Sequence, residues 1–139
     1  MRKPRIYNNK AGKRADLNNQ FFRSATEANY ARFMNFTGVV WKYEPEILYF
    51  EGIKSGCTSI KIDFYLPDMD QWHEVKGELT QRTVTKIKRL KKYYPHIFDK
   101  LFLITQGKQS LEFAQQMRIP YIRYEEIEKK VSRMIPGWE

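Results

Sequence analysis

Two neighbouring segments with strict alternation of apolar and polar side chains constrain the fold of this chain most strongly. Residues 58–66 place Asp63 on the face opposite to an apolar row, and residues 71–77 place Glu74 and Lys76 together on one face. The apolar row of the first segment consists of Ile60, Ile62, Phe64 and Leu66. A period of two residues is typical of half-buried β-strands. Because the proline-containing turn between the segments is short, the pattern predicts adjacent strands of a hairpin.

The rest of the chain separates into helical and extended segments. The sequence SATE at residues 24–27 is typical of a capped helix start, and Gly38 is a natural helix end. Short strands are expected over residues 39–43 and 47–51, with a break at Pro45. The elements predicted after the two alternating segments are a helix from Thr80 to Tyr94, a strand over 101–105, a helix from Ser110, a strand over 121–124 and a helix from Glu125. This order predicts an α/β fold, a mixed sheet with helices on its faces.

The charge of the chain is concentrated in two blocks. Lys and Arg number 25 against 16 Asp and Glu among 139 residues, a formal net charge of +9. Residues 1–23 and 80–100 each carry seven basic and one acidic side chain, whereas residues 24–79 carry five basic and nine acidic ones. Cationic patches suit phosphate binding, and an acidic centre between them suits a divalent metal. A solvated surface that binds nothing is the alternative interpretation.

The N-terminal basic block is expected to lie outside the folded domain. Residues 1–20 are poor in apolar side chains and contain two Asn-Asn pairs, which predicts an extended or disordered arm, and residues 21–139 are expected to form one domain. The backbone-phosphate contacts expected from the two blocks are Arg2, Lys3, Arg5, Lys10, Lys13, Arg14 and Arg23 near the N-terminus, and Lys86, Lys88, Arg89, Lys91 and Lys92 on the second long helix. None of them is arranged as a base-reading element, so recognition of DNA shape is expected.

Asp63, Glu74 and Lys76 form the constellation that carries chemistry. If the two alternating segments pair, a carboxylate on one strand faces a carboxylate and an ammonium on the next. Asp63 and Glu74, with the backbone carbonyl of Val75, supply the oxygen ligands that Mg²⁺ prefers. A bound metal lowers the pKa of its water and neutralises charge that develops on phosphorus, and Lys76 is suited to orient or deprotonate that water. The pattern therefore favours a metal-dependent nuclease.

These residues also have structural interpretations. Glu74 and Lys76 are common as an exposed strand pair. Glu27 ends the SATE sequence, so it either caps a helix or reaches the metal, and the pattern alone leaves both interpretations open. His73 faces away from Glu74 by strand parity, and His96 follows a helix-ending proline. Both histidines are therefore expected to be structural or surface residues.

The chain resembles a known nuclease family. Asp63 followed by Glu74-Val75-Lys76 resembles the signature of the PD-(D/E)XK nucleases, with Ile62 where that family often has proline. The closer resemblance is to the phage endonuclease I family of Holliday-junction resolvases. The segments that carry it are FRS at 22–24 with Glu27, WKYE at 41–44, IDFYLP at 62–67, EVKG at 74–77 and MIPGWE at 134–139. They occur in the family's order, so the resemblance spans residues 21–139.

This resemblance implies a catalytic set and its metal. Glu27, Asp63, Glu74 and Lys76 are the implied catalytic residues. One or two Mg²⁺ or Mn²⁺ ions per active site are implied, held by Glu27, Asp63, Glu74 and the Val75 carbonyl, with no small-molecule cofactor.

One further acidic residue of the family lies near residues 41–44. Glu44 is the candidate for it, and Lys42 is the alternative occupant of that position.

The resemblance also implies a fold, an assembly and a substrate. The fold is a restriction-endonuclease-like mixed sheet, and the assembly is a homodimer intertwined by exchange of N-terminal elements. The activity is resolution of four-way (Holliday) DNA junctions by paired hydrolysis that leaves 5′-phosphate and 3′-hydroxyl ends. Two alternatives stay open: the same site acting on mismatched, restriction-site or transposon-end DNA, and a non-catalytic DNA-binding protein whose acidic cluster is structural.

Cysteine content and hydropathy predict the compartment. No apolar run approaches the roughly 18 residues of a membrane span, so no membrane association is expected. The single cysteine, Cys57, cannot form an internal disulfide and has no partner for nucleophilic chemistry. A cytoplasmic location is therefore expected, in the host cytoplasm if a phage encodes the chain.

Overall fold

The computed structural model describes residues 10–139, with a five-stranded mixed sheet at its centre. The strands are β1 (Gly12–Arg14), β2 (Gln20–Phe22), β3 (Lys42–Tyr43), β4 (Leu48–Tyr49), β5 (Ser59–Ile60), β6 (Phe64–Leu66), β7 (Gln71–Lys76), β8 (Leu101–Thr105) and β9 (Tyr121–Arg123). The helices are α1 (Ala25–Phe36), α2 (Gln81–Tyr93), α3 (Pro95–Phe98), α4 (Lys108–Met117) and α5 (Tyr124–Val131), with 3₁₀ turns at Ala15–Leu17 and Ser132–Met134.

The central sheet has the strand order β3-β6-β7-β8-β9. The first three strands are antiparallel neighbours, and the last three run parallel. Strand β8 is covered on both faces, which explains its continuous apolar run. The expected mixed α/β sheet flanked by helices is therefore confirmed.

Two hydrophobic cores lie on opposite faces of this sheet. Helices α1 and α5 pack with Phe64, Val75 and Ile104 on one face, and this group is called the first core. Helices α2 and α4 pack with Trp72 and Leu103 on the other face, and this group is called the second core. Since the side chains of β7 alternate between the two cores, Glu74 and Lys76 share the α2 side of the sheet with Trp72.

The ends of the two long helices follow the expected capping chemistry. The Ser24 hydroxyl accepts the backbone N–H of Glu27 at the start of α1, and the Thr80 hydroxyl caps α2 in the same way. At the end of α1, Gly38 has a φ of +75° and Val39 donates its N–H back to the Met34 carbonyl. This left-handed turn satisfies the last carbonyls of the helix, so the predicted stop is confirmed.

The segment 58–66 differs from the single strand that its alternation predicts. It contains two strands, β5 and β6, and β5 pairs with β4 in a separate ribbon. The expected apolar row is divided accordingly: Ile60 and Ile62 join the second core, whereas Phe64 and Leu66 join the first. A bend at Asp63 reverses the phase, because the chain passes there from one core to the other. Asp63 is therefore buried rather than on an open strand face.

Residues 12–22 are not the free arm that the sequence predicts. Strands β1 and β2 form an antiparallel hairpin whose turn contains Asn18 and Asn19, both with positive φ. Asparagine adopts this backbone region more readily than most residues, so the Asn-Asn pair marks a turn and not disorder. Leu17 and Phe22 anchor the hairpin in the first core. Residues 1–9 of the predicted arm lie outside the described residues.

The last residues of the chain fold back onto α1 and α5. Ile135 is buried, and the Trp138 ring stacks on Tyr124 with 5.9 Å between the ring centroids. The backbone N–H of Glu139 donates to the Asn29 side chain at 2.9 Å. Among the helices of residues 10–139, none is long and apolar enough to cross a membrane.

Candidate active site

The floor of the candidate site lies where β6 begins and β7 ends. The backbone N–H of Asp63 donates to Glu74 Oε1 at 2.9 Å, and the backbone N–H of Val75 donates to Asp63 Oδ2 at 2.8 Å. Lys76 Nζ lies 3.6 Å from Glu74 Oε2. The juxtaposition predicted for Asp63, Glu74 and Lys76 is therefore present. It persists despite the bend, because the pairing of Phe64 with His73 puts Asp63 level with Glu74.

Negative charge is crowded on this floor. Burial raises the pKa of Asp63 well above its usual range, and the neighbouring charges of Glu74 and Glu27 raise it further. The charge of Glu74 also raises the pKa of Lys76, against the effect of burial. Lys76 is therefore held as an ammonium, beside an Asp63 carboxyl group whose ionisation is disfavoured.

Glu27 lies in the capped first turn of α1, where its backbone N–H donates to Ser24 Oγ at 3.1 Å. Its buried carboxylate also lies close enough to raise the pKa values of Asp63 and Lys76. Tyr43 donates its hydroxyl to Glu27 Oε1 at 2.5 Å, and Ser24 donates its hydroxyl to Glu27 Oε2 at 3.0 Å.

Arg23 and Glu44 form one side of the pocket above the floor. Arg23 Nε lies 3.2 Å from each Glu44 carboxylate oxygen. The backbone N–H of Glu44 donates to the Asp63 carbonyl at 2.8 Å, and Glu44 has a positive φ of 42°. Lys42 is exposed on β3 and lines a different surface groove. Of the two candidates near residues 41–44, the structure brings Glu44 to the pocket.

The opposite side of the pocket is basic. Arg82 and Lys86 extend from α2 toward the floor, and Lys61 lies at the rim. The pocket has a volume of about 230 Å³. Burial lowers the pKa of Lys86, and the positive charge of Arg82 lowers it further. Arg82 and Lys61 were missed by the sequence analysis, although the four-residue spacing from Arg82 to Lys86 places both on one helix face.

The expected phosphate contacts divide into three groups. Arg2, Lys3 and Arg5 lie outside the described residues. The side chains of Lys10, Lys13, Arg23, Lys88, Lys91 and Lys92 are exposed, and those of Lys86 and Arg89 are half-buried.

Arg14 differs from the expected phosphate contact. It is buried, and its guanidinium donates to Glu139 at 2.9 Å and to the carbonyls of Lys10 and Gly12. A guanidinium that is already paired inside the fold does not reach a DNA backbone. Arg89 is also tied down in part, since it donates to the Cys57 carbonyl at 2.6 Å.

His73 is buried in the fold and His96 lies on the surface, the two placements that the sequence analysis expected for the histidines. His73 is buried on the opposite face of β7 from Glu74, where its ring nitrogens contact the Tyr30 hydroxyl at 2.6 Å and Gln71 Oε1 at 3.1 Å. His96 is exposed on α3, and Cys57 is buried beside the backbone of α2.

The donor set fits a magnesium ion in its chemistry. Across residues 10–139, no three His, Cys, Asp or Glu side chains are already arranged as a metal site. Mg²⁺ usually keeps several waters and is held by one or two carboxylates, a requirement that Asp63 and Glu74 meet. The raised pKa of Asp63 reflects buried negative charge, which a divalent cation relieves.

Comparison with known proteins gives no relative for this chain. No protein-family model matches it, and no curated protein or solved structure does either.

Proposed function

We propose that this protein is a metal-dependent endodeoxyribonuclease that cuts branched DNA. The observation that carries the proposal is the arrangement of opposite charges in one pocket. Asp63 and Glu74 place negative charge on the floor, Glu27 lies near enough to raise the pKa of Asp63, and Arg82 and Lys86 place positive charge beside them. A divalent cation would neutralise the negative charge of the carboxylates, and the phosphate of a bound phosphodiester would neutralise the positive charge of Arg82 and Lys86. Perturbed titratable groups in a pocket are typical of catalytic sites.

The side chains of the pocket have distinct roles in this proposal. Asp63, Glu74, Glu27 and the Val75 carbonyl would hold one or two Mg²⁺ or Mn²⁺ ions, and such an ion would supply a water of lowered pKa as the nucleophile. Lys76 orients that water and counters the charge that develops on phosphorus. A general-base role for Lys76 is disfavoured, because the charge of Glu74 raises its pKa. The water oxygen forms a bond to phosphorus as the bond to the 3′-oxygen breaks, which leaves 5′-phosphate and 3′-hydroxyl ends.

The substrate and the assembly rest on the resemblance to the phage endonuclease I family. A four-way junction, a restriction-endonuclease-like fold and an intertwined homodimer that makes paired cuts are all part of the proposal. The pair of basic segments in the sequence, residues 1–23 and 80–100, supports a DNA substrate. A cytoplasmic location, in an infected host if a phage encodes the chain, accompanies it.

A cleavage assay tests the proposal directly. An immobile four-way DNA junction and its linear duplex arms are incubated with the protein in Mg²⁺ and in EDTA. We expect symmetric cuts near the branch point in Mg²⁺ only. The Lys76→Ala variant should lose cleavage while retaining junction affinity, and the Lys108→Ala variant on α4, which removes an exposed lysine outside the expected DNA contacts, serves as its control.

Two results would contradict the proposal in different ways. Cleavage that excess linear duplex abolishes would assign the site to mismatch, restriction or transposon-end chemistry. Tight binding without cleavage in either condition, with a silent Asp63→Asn substitution, would identify a DNA-binding protein without catalytic activity.

A further inference from the structure

Tyr43 is held in place by two ring contacts and two hydrogen bonds. Its ring lies 4.6 Å from the Phe22 ring and 5.4 Å from the Phe64 ring, measured between centroids. Its hydroxyl accepts the backbone N–H of Arg23 at 3.4 Å and donates to Glu27 Oε1 at 2.5 Å. Since rings on β2 and β6 fix the ring of Tyr43, the position of its hydroxyl is fixed too.

Two hydroxyl groups hold the two oxygens of the Glu27 carboxylate. Tyr43 donates to Oε1 at 2.5 Å, and Ser24 donates to Oε2 at 3.0 Å. Two donors on different elements define the plane of the carboxylate.

A carboxylate at this point of α1 needs such support. The Glu27 side chain has three rotatable bonds, and Ser24, only three residues away, is part of the same helix start. Tyr43 comes from a different layer, the edge strand β3 of the sheet that carries Asp63 and Glu74. The hydrogen bond from Tyr43 to Glu27 therefore fixes the helix carboxylate relative to the sheet carboxylates.

We propose that Tyr43 is a positioning residue of the metal site, which orients the Glu27 carboxylate toward the cation held by Asp63 and Glu74. The inference rests on the proposed function only in taking Glu27 as a metal ligand. Hydrogen-bond partners behind ligating carboxylates set their orientation, and their loss typically lowers metal affinity about 10–100-fold. The Tyr43→Phe substitution removes the hydroxyl and leaves the ring packing in place.

Metal affinity in the absence of DNA is the first measurement. The full chain is titrated with Mn²⁺ by calorimetry, as wild type and as Tyr43→Phe. We expect the Tyr43→Phe variant to bind Mn²⁺ about 10-fold more weakly than the wild type. The melting temperatures of the two metal-free proteins, measured in EDTA, should be close to each other. Tyr65→Phe is the matched control, because the Tyr65 hydroxyl donates to exposed Asp70 at 2.8 Å, outside the pocket. It should leave the affinity unchanged.

A double-mutant cycle separates positioning from general packing. If Tyr43 acts through Glu27, the Tyr43→Phe substitution has no further effect on Mn²⁺ affinity in a Glu27→Gln background. Unchanged affinity in Tyr43→Phe, additive effects of the two substitutions, or a wild type that binds no Mn²⁺ would each overturn the inference. DNA cleavage is a separate readout. A protein whose Mn²⁺ affinity depends on Tyr43 but that cuts no junction would contradict the nuclease and support the inference.

Discussion

Asp63 is a buried carboxyl group in a place that disfavours its ionisation. Burial raises its pKa, and Glu74 and Glu27 add like charge beside it. An acid whose pKa is higher in the folded state than in the unfolded chain destabilises the fold once the pH rises above the unfolded value. At neutral pH and without metal, the raised pKa of Asp63 therefore works against folding. Such strain is expected where side chains are arranged for a ligand and not for stability.

The Asp63→Asn variant should therefore be more stable than the wild type without metal. The asparagine oxygen still accepts the Val75 N–H, while the charge beside Glu74 is removed. We expect a gain of about 0.5–2 kcal/mol at pH 7.5 in EDTA, measured by urea unfolding. The gain should vanish below about pH 3, where Asp63 is protonated in both the folded and the unfolded state. Asp70→Asn, which removes an exposed carboxylate, should give no gain. A less stable Asp63→Asn variant would contradict this account of the site.

His73 gives the fold a separate dependence on pH. Burial lowers the pKa of its imidazole from 6.5 to about 4. In the unfolded chain the same group takes up its proton near pH 6.5, so acid favours unfolding between these two values. The stability that the neutral ring provides is complete above pH 6.5 and is lost as the pH falls toward 4.

Replacement of His73 should remove this part of the pH dependence. In His73→Asn, the amide oxygen lies near the position of Nδ1 and still accepts from Tyr30. Between pH 7.5 and 4.5, we expect the wild type to lose about 2–3 kcal/mol more than the variant in urea unfolding. His96→Asn should keep the wild-type dependence, because His96 is exposed. Equal losses in wild type and His73→Asn would show that His73 becomes protonated in the folded protein.

At the scale of the element, α2 presents two basic faces of different kinds. Arg82 and Lys86 line the pocket, whereas Lys88, Lys91 and Lys92 are exposed outside its lining. The charge count of the sequence does not distinguish the two faces. Only the face with Arg82 and Lys86 lies beside the carboxylates of the pocket. A phosphate in the pocket contacts the first face, while long-range attraction acts on both.

Junction binding in EDTA separates these two faces. We expect Lys86→Ala to weaken affinity and to reduce the slope of log affinity against log salt by roughly 1, since one counterion-releasing contact is lost. Lys88→Ala, two residues away on the same helix, should change both quantities less. Equal effects of Lys86→Ala and Lys88→Ala would show that α2 attracts DNA through its overall positive charge and not through a phosphate contact in the pocket.

The elements also show how far the sequence predicts this structure. Alternation and capping residues are local signals. They predict β7, α1 and α2, and they predict that Asp63 lies opposite Glu74 on neighbouring strands. The bend at Asp63 arises because the apolar residues before and after it pack into different cores. Those cores are formed by helices that are distant in sequence, so the local pattern does not indicate the bend. Likewise, the contact from Tyr43 to Glu27 links residues 16 positions apart on different layers, so no periodicity indicates it.

At the scale of the whole molecule, a charged cluster joins three parts of the chain. Arg32 on α1 donates to Asp16 at 2.7 Å and to Glu139 at 2.9 Å, and Arg14 of the β1–β2 hairpin donates to Glu139 as well. Gly137 approaches so closely that a Cβ atom there would lie 2.7 Å from Asp16 Oδ2. The cluster therefore fixes the hairpin and the last residues of the chain to α1.

Loss of Arg32 should destabilise the whole fold without changing the pocket. Its side chain is 6% exposed, whereas those of Asp16 and Glu139 are 44% and 22% exposed, so Arg32→Ala removes their shared partner where the cluster meets the solvent. We expect a loss of about 1–3 kcal/mol in urea unfolding, because water screens Asp16 in part. Arg32→Lys should recover little, since an ammonium lacks the planar fork that contacts both carboxylates. Arg123→Ala, which breaks an exposed pair with Glu126, should cost about 0.5 kcal/mol or less. If Arg32→Ala costs no more than Arg123→Ala, the buried cluster contributes nothing beyond a surface ion pair, and the hairpin is anchored by Leu17 and Phe22 alone.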